Sequence, residues 1–151
     1  MMNETMVTVQ GYVGGPVKLR QAGDALVANF RVACTPRRYN RRTQEWFDAD
    51  TQWYTVNAWR MLGDHCSRSL NSGDPVVVHG KLNARTFVNA SQVEVATFEV
   101  DAMFVGHDLN RGTSTFTKPA RAEQPVGSAS ASAAGEPEAP TASGDAGTAA
   151  A

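Results

Sequence analysis

Apolar side chains recur at every second position in this chain, run after run, and no other feature limits its fold as strongly. Val7, Val9 and Val13 alternate with Thr8, Gln10 and Tyr12 over Met6–Val13. Leu26, Ala28, Phe30, Val32 and Cys34 alternate with Val27, Asn29, Arg31, Ala33 and Thr35. A third run covers Thr51–Trp59, a fourth Val76–Phe87 and a fifth roughly Gln92–Val105. Period-two alternation predicts half-buried, antiparallel strands with one face packed inward. Gly14-Gly15-Pro16, Gly23-Asp24, Gly73-Asp74-Pro75 and Asn89-Ala90-Ser91 supply the turns. Val17–Arg20 reads as a short continuation of the first strand, and Pro36–Asp50 as a polar, basic connection.

One segment departs from this rhythm. Leu62, Cys66 and Leu70 recur at a spacing of four, which predicts a helix of about ten residues stopped by Asn71-Ser72-Gly73. Five strands with one helix between the third and fourth is the element order of an OB-fold, an all-β, partly open Greek-key barrel often used for oligonucleotides.

Composition changes near Lys118. Beyond it the chain is Ala, Gly, Ser, Pro and Glu without an aromatic residue, too little apolar surface to offset the entropy of ordering. The expected organisation is a folded domain over 1–118 and a disordered, acidic tail over 119–151. The front carries 13 basic and 11 acidic residues, the tail one and four. This asymmetry points weakly toward nucleic acid. No apolar run approaches membrane-helix length and the start does not read as a signal peptide, so a cytoplasmic protein is expected.

The chemistry falls on the outward faces. Side chains two apart on a strand point the same way. On the third strand Tyr54, Val56 and Ala58 face the core, leaving Trp53, Thr55, Asn57 and Trp59 outside. On the fourth, Val76, Val78, Gly80, Leu82 and Ala84 face inward, while His79, Lys81, Asn83, Arg85 and Phe87 face outward. Rings among basic residues suit single-stranded nucleic acid: unpaired bases stack on the rings, and Lys and Arg neutralise the phosphates between. The connection Pro36–Trp46 adds Arg37, Arg38, Arg41 and Arg42 interleaved with Tyr39 and Trp46. Arginine both pairs with phosphate and lies flat on a base.

Each feature has a second reading. Trp53 and Trp59 also fit a protein–protein interface, Phe87 fits a cap on the barrel core, and the arginine run fits a solvated loop tip. RNA is a further candidate ligand, because stacking alone does not read the 2′-hydroxyl. Cys34 and Cys66 both fall on apolar faces and read as buried free thiols, with a disulfide as the minority alternative. His65, His79 and His107 are scattered without a metal-ligand motif. There is no glycine-rich phosphate loop and no nucleophile paired with a base. No catalytic residue, metal or cofactor is therefore expected.

The residues also resemble a known family. The motifs are Ala33-Cys34-Thr35, the arginine-rich connection, Thr51-Gln52-Trp53-Tyr54-Thr55-Val56, the helix end Leu70-Asn71-Ser72-Gly73-Asp74, and Val76 to Phe87 with its Gly80-Lys81-Leu82-Asn83-Ala84-Arg85-Thr86-Phe87 pattern. They are similar to bacterial single-stranded DNA-binding proteins over roughly Met6 to Val105. That resemblance implies an OB-fold homotetramer, nucleoid-associated in the cytoplasm, that coats exposed single strands during replication, repair and recombination. It implies stacking by Tyr39, Trp53, Trp59 and Phe87, with basic contacts from Arg20 and Arg85. Tyr39 and Phe87 stand where tryptophan is frequent in the family, and Asn83 where arginine is. Family tails typically finish in an acidic, apolar tip that recruits enzymes. The residues from Gly144 to Ala151 carry no acidic cluster and no Phe, so recruitment through such a tip is doubtful and a specialised paralogue is expected.

Overall fold

The computed structural model describes residues 3–120. The tail expected from residue 119 onward therefore lies, from 121, outside the described residues. The order is β1 Met6–Val13, β2 Lys18–Ala22, β3 Ala25–Cys34, β4 Arg37–Asn40, β5 Glu45–Asp48, β6 Gln52–Trp59, α1 Arg60–Ser69, β7 Pro75–Val88 and β8 Glu94–His107. β1, β7, β8, β6 and β3 are neighbours in that order, and β1 returns to β3 through Tyr12 and Val13. This closes the five-stranded ring of an OB-fold, and the five alternating runs of the sequence are its staves.

Three expectations about pairing need correction. Lys18–Ala22 does not continue β1. Gly23, at a φ of 62°, turns the chain so that this segment pairs antiparallel with the start of β3 as a flanking sixth strand. The basic connection is also partly strand, because β4 and β5 form their own two-stranded ribbon. Finally, β6 and β8 run parallel, with Thr55, Val56 and Asn57 opposite Glu99, Val100 and Asp101. Alternation reports which face is buried, not which way a neighbour runs.

The inner face is lined with small branched residues. Val32, Val56, Val76, Val78 and Val100 are fully buried, with Val9, Val13, Ala28, Phe30 and Ala58 beside them. Each such valine contributes roughly 1.5–3 kcal/mol through removal from water. The inward row of β7 ends earlier than its pattern implies. Leu82 still packs against the core, but Ala84 is exposed, because β7 and β8 continue beyond the barrel as a free hairpin.

α1 closes one end with Cys66 buried and Leu62 packed against the core, and Leu70 donates its N–H to the Cys66 carbonyl 3.0 Å away as the chain leaves the helix. Both cysteines are free thiols. The stretch after β8 is tied back to the barrel. Buried Asp108 accepts from Gln10 Nε2 at 2.7 Å and from the Asn110 N–H at 3.1 Å. These bonds, the Gln10 one first, hold its carboxyl below the ordinary carboxylate pKa. His107 bridges Asp74 at 3.3 Å and Ser114 at 2.8 Å.

Gly80 marks the tightest strand crossing. The β7–β8 register shifts there, with His79 opposite Phe104 and Gly80 opposite Ala102, so Met103 is the extra residue of a bulge. A Cβ at position 80 would lie 2.1 Å from the Asp101 carbonyl oxygen, a contact that backbone must give way to relieve. Gly80→Ala is expected to destabilise the barrel by about 1–3 kcal/mol, read as a lower urea midpoint.

Burial pushes the Cys66 thiol from 9.0 up to about 11. The folded state then keeps its proton where the unfolded state loses it, so stability should fall as pH rises from about 9 toward about 11. Cys66→Val should flatten that part of the stability–pH curve, measured by urea unfolding across the range.

Candidate nucleic-acid interface

The outer surface of the barrel carries the rings that the strand parity leaves outside. Trp53 is 43% exposed, Trp59 44% and Phe87 52%. Phe87 thus stands clear of the core it might have capped, on the free part of the β7–β8 hairpin opposite Val95. Trp53 lies on Gly14, where a Cβ would come within 2.3 Å of the indole, and the Arg31 guanidinium sits 4.3 Å from its ring centroid. A half-exposed tryptophan leaves on the order of 100 Å² of apolar surface in water, so covering it is worth about 2.5 kcal/mol. That matches the range of about 1–3 kcal/mol per base for aromatic stacking.

Trp59 lines an open groove of about 480 Å³ together with Arg20, Asn29, Asn57, Asn83, Arg85, Glu99 and Asp101. A chain of hydrogen bonds crosses its floor. Arg20 Nε donates to Asn29 Oδ1 at 2.8 Å, and Asn29 Nδ2 donates to Asn57 Oδ1. Asn57 Nδ2 reaches Asp101 Oδ1 at 3.2 Å and Glu99 Oε2 at 3.3 Å. From the other side Asn83 Nδ2 donates to Asp101 Oδ2 at 2.6 Å, and Arg85 Nε lies 3.7 Å from Glu99. Every amide is thereby oriented, and the cations Arg20 and Arg85 flank an anionic floor. A polyanion can meet the arginines, whereas the carboxylates repel phosphate from the middle.

The β4–β5 ribbon holds a second cluster. Tyr39 and Trp46 are cross-strand partners with ring centroids 5.3 Å apart at 53°. Arg37 pairs with Asp48 at 3.5 Å. Arg38, Arg41 and Arg42 are exposed and, among the described residues, make no ion pair. Lys81 is held by Glu4 at 2.8 Å, and that hydrogen-bonded carboxylate raises its pKa above the ordinary lysine value. A phosphate at Lys81 therefore has to displace Glu4.

Of the residues singled out from the sequence, Arg20, Trp59 and Arg85 meet in one groove, and Tyr39 meets Trp46 on the ribbon. Trp53, Phe87 and Lys81 stand apart from both. Asn29, Arg31, Glu99 and Asp101 were not singled out, although the same parity that exposes Trp53 places Asn29 and Arg31 on the outward row of β3. Among the described residues no group of three or more His, Cys, Asp or Glu is placed to hold a metal ion. No helix there is long and apolar enough to cross a membrane.

Known proteins are similar to this chain in sequence and fold. The model of the single-strand binding protein family matches residues 2–108. Single-stranded DNA-binding protein 2 of Streptomyces avermitilis is 42% identical over 137 residues, which is 91% of this chain and 84% of that protein. Single-stranded DNA-binding protein 1 of Streptomyces coelicolor is 41% identical over 122 residues, 81% of this chain and 78% of the other. Among solved structures, the small single-stranded DNA-binding protein from Streptomyces coelicolor superposes with a TM-score of 0.65 at 38% identity, covering 74% of this chain and all of that one.

The floor network makes a prediction independent of any ligand. Asp101→Ala removes the acceptor shared by Asn57 and Asn83. Stability should drop by about 1–2 kcal/mol, the lower part of the range for stranded polar groups because the site is partly open to water. A urea titration should show a lower midpoint with an unchanged slope.

Proposed function

The chain belongs to the single-strand binding protein family, and from that premise we propose that it binds single-stranded DNA without regard to sequence, by stacking bases on exposed rings and holding phosphates with arginine. The observation that carries this reading is the set of separate rings, Trp53, Trp59 and Phe87, each about half exposed on the barrel and its hairpin extension. Tyr39 and Trp46 extend the stacking surface, and Arg20, Arg37, Arg38, Arg41, Arg42, Lys81 and Arg85 supply phosphate contacts. Duplex DNA hides its base faces, so such a surface favours unpaired strands. The rings read shape and not base identity, which suits coating and protecting strands during replication, repair or recombination in the bacterial cytoplasm.

The protein acts here by binding alone, as a paralogue of the Streptomyces proteins. A homotetramer accords with the family and with β1, whose edge opposite β7 is paired only at Tyr12 and Val13. Exposed Met6 on this strand would be covered by such an assembly.

Titration with poly-deoxythymidine should quench tryptophan fluorescence. Trp53→Ala and Trp59→Ala should each weaken binding about 5- to 150-fold, the equivalent of one lost stack. Affinity should fall linearly with the logarithm of salt, with a slope of about −0.7 per phosphate neutralised. An absence of quenching at low salt would refute single-strand binding. A parallel ribo-oligonucleotide arm that bound more tightly would reassign the ligand to RNA.

A further inference from the structure

The β4–β5 ribbon is a sheet of only two strands, so it has two faces and no layer beneath it. Successive side chains alternate between those faces. Tyr39 and Trp46, directly opposite each other, share one face with Arg37 and Asp48. The other face carries Arg38 directly opposite Phe47, together with Asn40 and Glu45. Phe47 is 48% exposed, as much as the barrel tryptophans. On an element with no core to fill, about half of this ring is left open to solvent.

We propose that this second face, built from Phe47 and Arg38, is a separate stacking site for single-stranded DNA, so that the ribbon is gripped by nucleic acid on both sides. The inference rests on the single-strand reading above, which gives Arg38 only a phosphate contact, and adds Phe47 beside it as a stacking ring. The occupant follows from charge. Arg38 makes no ion pair among the described residues, and neither do Arg41 and Arg42 at the tip, so the face offers a free guanidinium beside a ring. Arg37, on the Tyr39–Trp46 face, is by contrast matched by Asp48. A ring with an adjacent unpaired cation recognises a base and its phosphate together. A polypeptide partner would want an apolar surface without such charge, or an acidic one of its own. The strand segment on this face is distinct from the one on Tyr39 and Trp46, because the ribbon's own backbone lies between them.

The test uses the full chain with a deoxythymidine strand carrying 5-iododeoxyuridine. Ultraviolet crosslinking followed by peptide mapping should place adducts on Phe47 as well as on the Tyr39–Trp46 face. Phe47→Ala and Phe47→Leu should both weaken poly-deoxythymidine binding fivefold or more, since leucine keeps apolar bulk but offers no ring. The fold-losses of Phe47→Ala and of Trp59→Ala, which lies on the barrel, should multiply in the double variant, as separate sites require. Wild-type quenching together with an unchanged Phe47→Ala affinity would overturn the second site and leave the proposed function standing. No quenching by the wild type would remove both. A loss of the Tyr39–Trp46 ring contact in Phe47→Ala, read by near-ultraviolet circular dichroism alongside the weaker binding, would show that Phe47 merely steadies the ribbon, against the proposal. So would a change in sedimenting mass of Phe47→Ala at unaltered DNA affinity, which would assign the face to contacts between copies.

Discussion

Closure of the barrel around a layer of valines is the constraint from which the rest follows. Val32, Val56, Val76, Val78 and Val100 fill the inside completely, and Gly63 and Gly80 let backbones approach where no side chain fits. Strand residues have only two directions available. Once these positions are committed inward, Trp53, Trp59 and Arg85 are committed outward, whatever their own preference for burial. The exposed rings are thus a geometric consequence of the core, and the β3–β6 register that aligns Asn29 with Asn57 aligns Ala33 with Trp53. A one-residue slip in either strand would exchange core and interface together.

The interface is less cationic than its arginines suggest. Arg20 and Arg85 flank a floor on which Glu99 and Asp101 hold Asn57 and Asn83 in place. The carboxylates orient the amides, and they also offset part of the positive charge. On the proposed binding mode, a phosphate backbone would be attracted at the edges and repelled at the centre, leaving the middle of the groove for bases. Arg31 over Trp53 plays a comparable double part, since it covers the ring in the free protein and is poised beside any base that replaces it. Stacking, at about 1–3 kcal/mol per ring, then outweighs individual exposed charge contacts, which are worth about 1 kcal/mol or less.

How much of this was legible depended on the range over which the information acts. Alternation is local, so the five barrel strands, the helix stripe of Leu62, Cys66 and Leu70, and the outward rows with Trp53, Trp59 and Phe87 could all be read directly. Pairing is not local. The flanking strand Lys18–Ala22 has an unremarkable pattern, and only its turn at Gly23 directs it onto β3. The parallel β6–β8 contact leaves no trace in alternation, because a face looks the same whichever way the neighbour runs. The groove floor was missed for the same reason: Asn29, Asn57, Asn83 and Asp101 come from four strands, and although Asn57 and Asn83 read as outward, nothing local joins them to the other two. Ala84 was misjudged because a strand pattern does not say where the barrel ends and a hairpin carries on into solvent.

The ribbon obeys a different physics from the barrel. Two strands alone in water are marginally stable, and β4 and β5 are joined across by the Tyr39–Trp46 contact, the Arg37–Asp48 pair and a base bond from the Ala49 N–H to the Pro36 carbonyl at 2.8 Å. The rings that hold the ribbon together are also the ones proposed to stack bases. On that proposal, a base stacking there would add to the contact that shapes the ribbon. The barrel holds its rings on a closed, packed frame, whereas the ribbon holds Tyr39 and Trp46 on two strands alone. A ligand whose sequence varies from site to site suits rings that offer flat faces without reading base identity.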